Sequence, residues 1–138
     1  MKAYFSRAYE ISASHRLHSA QLSPAENRAA FGKCNNPHGH GHNYRVEVTI
    51  GGPVDATTGM VINMATLDAT VKRQVIQRFD HMNLNLDPHF QNQVSTTENL
   101  CIAIYDLLLP ALLPAKLEKV RIEETENNFF EFSGHSSF

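Results

Sequence analysis

Apolar and polar positions alternate with period two in two stretches of the chain and recur at intervals of three and four in two others. In the first stretch Ala3, Phe5, Tyr9, Ile11, Ala13 and His15 share one parity while Ser6, Glu10, Ser12 and Ser14 take the other. This predicts a strand with one buried face, interrupted only by Arg7. The second stretch is sharper: His38, His40, His42, Tyr44, Val46, Val48 and Ile50 are in phase, with Gly39, Gly41, Asn43, Arg45, Glu47 and Thr49 opposite. Between the two, Arg16 to Pro37 is a polar connection longer than a hairpin needs, and long loops in compact domains are usually functional or mobile. After the turn residues Gly51, Gly52, Pro53 and Asp55 to Gly59, the positions Met64, Leu67, Val71, Val75 and Phe79 set a helical period, with Asn63 as N-cap and an end near Asp80. Ser95, Thr96, Thr97 and Glu98 read as a capping box opening a second helix. Leu100, Ala103, Ile104, Leu107 and Ala111 form its buried stripe, and Pro110 and Pro114 stop it. Two more strands are predicted over about 117–125 and 129–133, separated by Asn127 and Asn128.

Strand, strand, helix, helix, strand, strand predicts an α+β domain in which a four-stranded antiparallel sheet is covered on one face by two helices. No repeat, linker or low-complexity run divides the chain, and 138 residues fit one domain, 1–138, large enough to build a core without disulfides. Twelve Lys and Arg against fourteen Asp and Glu give a formal net charge of −2, which argues against nucleic acid or any other partner held by bulk electrostatics. No stretch approaches the roughly 18 apolar residues of a membrane span, and the opening MKAYFSRAYEIS lacks the apolar block of a signal peptide, so a cytoplasmic location with no membrane partner is expected. Two cysteines, Cys34 and Cys101, fit a reducing compartment.

Histidine changes the picture. The chain has eight, and five of them, His15, His18, His38, His40 and His42, fall within the first 42 positions. On a strand, His40 and His42 project from the same face, and His15 ends the apolar parity of the first strand. If the two strands pair, three imidazoles converge at one end of a hydrophobic sheet face. Three neutral histidines with a fourth position open is the arrangement of a catalytic zinc, and glycines at 39 and 41 allow close backbone approach. An H-x-H pair alone is equally a polar turn with solvated histidines; the shared parity, the glycine spacing and the in-phase His15 favour metal. His38, beside Pro37, is read as supporting or solvent-facing, and His18, out of phase, as surface.

Four other groups invite chemistry. Cys34 lies in the turn-rich run Gly-Lys-Cys-Asn-Asn-Pro, where a cation such as Lys33 or a metal would favour the thiolate and make it a nucleophile or base; a tolerated loop thiol fits the spacing equally well. Cys101, next to an apolar stripe, reads as packing. In Asp80-His81 a carboxylate fixes an imidazole's tautomer, or the pair simply ends a helix. Of Glu123, Glu124 and Glu126, one parity faces the helices or a pocket, where a carboxylate suits the amidine-like N–H pair of a heterocycle; exposed strand-end acids are the commoner outcome.

Taken together, ISASHRLHS, FGKCNNPHGHGHNY, TGMVINM, FDHMNLN, VSTTENL and EETENN resemble, in this order and spacing, the 6-pyruvoyl-tetrahydropterin synthase family, from about Ile11 to Asn128. The resemblance implies the tunnelling fold, whose subunits close into a barrel as trimers, two of which stack into a homohexamer. It implies His15, His40 and His42 as ligands of one Zn2+ per subunit, Cys34 as the proton-abstracting residue, and Asp80 with His81 as its relay. Glu124 matches the glutamate that anchors the pterin ring and joins the catalytic set, and Thr96, Thr97 and Glu98 match a segment lining the pterin pocket. The implied reaction converts 7,8-dihydroneopterin triphosphate to 6-pyruvoyl-tetrahydropterin and triphosphate. A second reading is 6-carboxy-5,6,7,8-tetrahydropterin synthase of queuosine biosynthesis, which starts from the same triphosphate. Its members typically place the cysteine closer to the HGH motif, whereas here Cys34 precedes His40 by six. A zinc hydratase or hydrolase would give Cys34 and Glu124 no task, and a non-catalytic metal-binding module would leave the thiol and the Asp80-His81 pair unexplained.

Overall fold

The computed structural model of the chain describes residues 2–136, so Met1, Ser137 and Phe138 of the expected 1–138 domain lie outside it. Two long strands, β1 (Ala3–His15) and β2 (His40–Gly52), pair antiparallel along their whole length, from Ala3 opposite Gly52 to His15 opposite His40. The period-two reading of both is correct: Ile11, Tyr44, Val46, Val48 and Ile50 are fully buried. Arg7, the one polar residue of the inward parity, is accommodated by Asp68 on the covering helix, which accepts from its guanidinium at 2.7 and 3.2 Å and from the Tyr9 hydroxyl at 2.6 Å.

The connection between these strands is not structureless. It contains the short helix α1 (Pro24–Phe31), opened by a capping box between Ser23 and Glu26, and a 3₁₀ turn (Gly32–Asn35). After β2, Asn63 caps α2 (Met64–Val71) as expected, its side chain accepting from Thr66 N–H. The helix continues through a π-helical turn (Lys72–Ile76) into a last turn, α3 (Gln77–Phe79). Its apolar stripe packs Leu67, Val71, Val75 and Phe79 into the core, each at most 1% exposed. The chain then makes a two-residue strand, β3 (Met82–Asn83), and two 3₁₀ turns (Leu84–Leu86 and Pro88–Phe90) before α4 (Thr97–Ala111). The expected Ser95–Glu98 capping box does not form: the N-cap is Thr96, whose hydroxyl accepts from Asn99 N–H, while Ser95 is buried. Pro110, expected with Pro114 to stop the helix, lies inside the last turn of α4, which ends one residue later at Ala111.

β4 (Lys116–Glu123) returns beside β2, and β5 (Phe129–Phe132) pairs with β4. The sheet order is β3-β1-β2-β4-β5. Two features of the expected fold are therefore corrected. The sheet has five strands, not four, and it is mixed, because β3 runs parallel to β1 at Ala13 and Ser14. A third helix, α1, joins the two long ones. The α+β class stands, and one apolar cluster joins sheet and helices; each fully buried aliphatic side chain in it stabilises the fold by about 1.5–3 kcal/mol.

Candidate metal centre

The register of β1 and β2 builds the site. His15 lies directly across from His40, and His42 faces Ala13 one pleat further along, so all three imidazoles emerge on the core face at the end of the strand pair. Their ring centroids stand 4.7–5.3 Å apart. The approach of the connecting loop at this end requires glycine at 39: its φ is +72°, and a Cβ there would lie 3.0 Å from the His15 carbonyl oxygen. Tyr44, next in parity and fully buried, floors the cluster with its hydroxyl 3.4 Å from both His15 ring nitrogens. Burial, with Glu124 and Cys34 nearby, pushes its phenol well above the ordinary range.

His15 has a fixed tautomer. Its Nδ1 lies 2.6 Å from the Ser95 carbonyl oxygen, which can only accept, so Nδ1 carries the proton and Nε2 presents a lone pair to the cluster. Nε2 of His15 is 3.1 Å from Nε2 of His40 and 3.6 Å from Oε1 of Glu124. The same Glu124 oxygen is 3.1 Å from Nε2 of His42. That contact is off the hydrogen-bonding direction, and His42 Nε2 remains buried with no hydrogen-bond partner. Tetrahedral donors at a metal–nitrogen distance of about 2.0–2.1 Å stand about 3.4 Å from one another, and the His15–His40, His15–Glu124 and His42–Glu124 separations of 3.1–3.6 Å bracket that spacing. One donor atom from each of His15, His40, His42 and Glu124 lies within 4.8 Å of the others. Burial depresses the basicity of His15 and His42, which keeps them neutral and available as ligands. A buried, unpartnered ring nitrogen within a four-donor group fits a metal ion better than it fits a hydrogen-bonded cluster.

The other sequence-derived candidates are distributed around this group. Glu124, for which the resemblance implies a pterin-anchoring role, turns Oε1 toward the imidazoles, while Oε2 accepts from Asn128 Nδ2 at 2.7 Å. Glu123 points to the other face and pairs with Arg121 at 2.8 Å, and Glu126 is exposed. Cys34, half-buried in the 3₁₀ turn after α1, accepts from Leu17 N–H through its carbonyl at 2.9 Å. Asp80 and His81 sit at the sheet edge beside Ser12: Asp80 Oδ1 accepts from Ser12 N–H at 2.8 Å, and His81 N–H donates to Ser12 O at 2.6 Å. Their side chains pair at 3.0 Å, with that of His81 83% exposed. The Ser12 amide, then His81, holds the Asp80 carboxyl below its usual range. His81 has φ +60°, an uncommon conformation for a non-glycine residue that clusters at functional positions. Thr97 is buried with its Oγ1 unpartnered, and Glu98 is exposed on the first turn of α4. Cys101 packs in the core, burial pushing its thiol up to about 12.

Two depressions border the cluster. One, of about 500 Å³, is lined by His15, Arg16, His18, His38, Asn85 and Gln93 among others. The second, about 390 Å³ and open, is lined by residues including Ser12, His42, Asn43 and His81. Ser95, Tyr44 and Asn85 support the site without having been singled out for it. Tyr44 alone left a signal, by sharing the parity of His40 and His42.

Fold and site define the class: an α+β protein whose sheet end carries a three-histidine, one-glutamate group able to hold a metal ion. The family model described as 6-pyruvoyl tetrahydropterin synthase matches residues 4–135. The chain is 48% identical over 134 residues to 6-pyruvoyl tetrahydrobiopterin synthase of Homo sapiens, covering 96% of this chain and 92% of the relative. It superposes on the structure of Caenorhabditis elegans 6-pyruvoyl tetrahydropterin synthase with TM-score 0.93 at 42% identity, covering 98% and 97% of the two chains. A putative 6-carboxy-5,6,7,8-tetrahydropterin synthase of Archaeoglobus fulgidus is more distant, 34% identical over 113 residues, with 82% and 90% covered. The chain belongs to the 6-pyruvoyl tetrahydropterin synthase family.

Proposed function

We propose that this chain is a zinc-dependent carbon–oxygen lyase that converts 7,8-dihydroneopterin triphosphate to 6-pyruvoyl-tetrahydropterin with release of triphosphate, a step of tetrahydrobiopterin biosynthesis. The observation that carries the reading is the meeting of His15, His40, His42 and Glu124 at one point in a chain so close to synthases of that name. Three imidazoles suit zinc, with further coordination left for substrate oxygen or Glu124. Zinc bound there supplies Lewis acidity toward the substrate's side-chain oxygens.

The chain's own residues do the rest. Cys34 takes the carbon-bound proton, and His81, held by Asp80, returns one to ring or side chain. Triphosphate leaves with the electron pair of its carbon–oxygen bond, and side-chain oxidation is balanced by ring reduction, so no redox cofactor takes part. Glu124 and the Thr96-Thr97-Glu98 segment hold the pterin; the unpartnered, buried Thr97 hydroxyl is in keeping with that task.

Cys34 and His81 are tied to backbone positions Leu17 and Ser12, five residues and so about 16 Å apart along an extended chain. This supports a shared active site, Cys34 of one subunit meeting Asp80 and His81 of a neighbour, in a homohexamer of two trimers. Each subunit is one domain, 1–138, working in the cytoplasm.

The test is to incubate zinc-loaded protein with 7,8-dihydroneopterin triphosphate and weigh the products. Inorganic triphosphate and the pyruvoyl mass are expected. Without triphosphate release the reading fails, and a 6-carboxy-tetrahydropterin mass would transfer the chain to the second reading, for which the Archaeoglobus relative is the present support.

A further inference from the structure

Directly after His15 the main chain is gripped from two sides. On one side Asn85 binds Arg16 twice with its side-chain amide: Oδ1 accepts from Arg16 N–H at 2.6 Å and Nδ2 donates to Arg16 C=O at 2.9 Å. This pair of bonds imitates the rung of a sheet, and it extends the β1–β3 pairing beyond the point where β3 ends at Asn83. Asn85 is itself held, its N–H donating to Asn83 Oδ1 at 3.0 Å and its C=O accepting from Gln91 Nε2 at 3.0 Å. On the other side the turn carrying Cys34 binds the same short segment: Leu17 N–H donates to Cys34 O at 2.9 Å, Asn35 Nδ2 donates to Leu17 O at 2.7 Å, and Arg16 Nε donates to Asn35 O at 3.0 Å. Arg16 O also accepts from Ser95 Oγ at 3.4 Å, and the Ser95 carbonyl fixes the His15 ring.

We infer that Asn85 is a positioning residue which, through the backbone of Arg16 and Leu17, sets the His15 ring and the Cys34 thiol relative to one another. Its side chain crosses 69 positions of sequence to reach the one dipeptide from which both groups are hung. A junction held on one side only would let the Cys34 turn and the ring-fixing Ser95 carbonyl drift independently. Groups that hold metal ligands in place cost roughly 10- to 100-fold in metal affinity or activity when removed. The side-chain hydrogen bonds of Asn85 go to Arg16 and not to the metal donors or the thiol, so it acts through that backbone.

The inference concerns the site assigned to the synthase reaction and rests on that reading for its catalytic consequence, but two of its readouts do not. Purified wild type, Asn85→Leu and Asn85→Asp, each loaded with zinc, are compared in the rate of zinc loss to a chelator, the rate and pH profile of Cys34 alkylation by iodoacetamide, melting temperature, and kcat with KM for 7,8-dihydroneopterin triphosphate. Asn85→Leu should lose zinc roughly 10- to 100-fold faster, shift the Cys34 alkylation profile, and lower kcat more than it raises KM. Asn85→Asp, which keeps the acceptor for Arg16 N–H, should fall between that variant and wild type. It carries the comparison if the leucine variant does not fold. Wild-type zinc loss and alkylation in the variants, with only the melting temperature lowered, would overturn the inference by making Asn85 a structural clamp. If wild type releases no triphosphate, the synthase reading fails, while zinc loss and alkylation still decide the role of Asn85.

Discussion

The four-donor group and the Asp80-His81 pair both border β1, one through His15 and the other through Ser12, and are built in opposite ways. His15, His40, His42 and Glu124 are gathered by strand pairing within one chain, on the core face, with His15 at 1% exposure. Asp80 and His81 hang from the backbone of Ser12 at the sheet's edge, where the His81 side chain is 83% exposed. The difference teaches that a ligand set, which must meet to within an ångström, is placed where register is rigid. The Asp80-His81 pair, to which we assign proton handling, is placed where a neighbouring group can come to it. Edge strands as short as the two-residue β3 leave an open sheet margin that an adjoining subunit can cover.

The comparison can be broken most severely at the ligands. Replacing His42 with Ala should remove both bound zinc and turnover, read as metal content per subunit alongside triphosphate release; retained zinc would show that His42 is not a ligand. Cys34→Ala should lower kcat by about 10²- to 10⁴-fold while zinc stays near one per subunit, separating proton abstraction from metal binding. A zinc-free Cys34→Ala protein would instead make the thiol a ligand.

Stability effects sharpen the contrast further from the chemistry. Arg78 holds Asp87 with two bonds of 2.9 Å and depresses its carboxyl below the ordinary 3.8. Because the folded value is lowered, the stabilisation is complete above 3.8 and is lost as pH falls through the folded value. Asp87→Asn should therefore cost about 1–2 kcal/mol at pH 7, discounted for the partly exposed Arg78. The gap to wild type should shrink on acidification toward pH 2, measured by denaturant midpoints. The smallest effect is expected at α1: Ser23→Ala removes an exposed cap worth about 1 kcal/mol and should leave zinc content unchanged.

Where the chain carries a period, the fold could be read from it. The main helices follow from spacings of three and four, and both long strands and the convergence of His15 with His40 and His42 follow from parity, because a register that buries Ile11, Tyr44 and Val46 has to bring the histidines to the same face. α1 escaped because Pro24–Phe31 has no apolar stripe, burying only Asn27; its one signal was Ser23 with Glu26 three positions on. β3 is too short to have a period at all. Glu124 could be recognised as a functional carboxylate, but its approach to the imidazoles depends on β4 lying beside β2, which no local pattern encodes. Ser95 acts through its carbonyl and Asn85 through a main-chain partner 69 positions away. Such bonds have no side-chain signature in the sequence.

The central claim is that the metal centre is complete within a chain while the proton machinery is completed between chains. Its most direct measurement is complementation: inactive Cys34→Ala subunits, unfolded and refolded together with inactive His81→Ala subunits, assayed for triphosphate release. Each mixed assembly should regain sites that pair an intact Cys34 with an intact His81 from its neighbour, so activity should return well above either variant alone, with zinc content unchanged throughout. Mixed assemblies as inactive as their parents would contradict the claim and put both groups to work within a single chain.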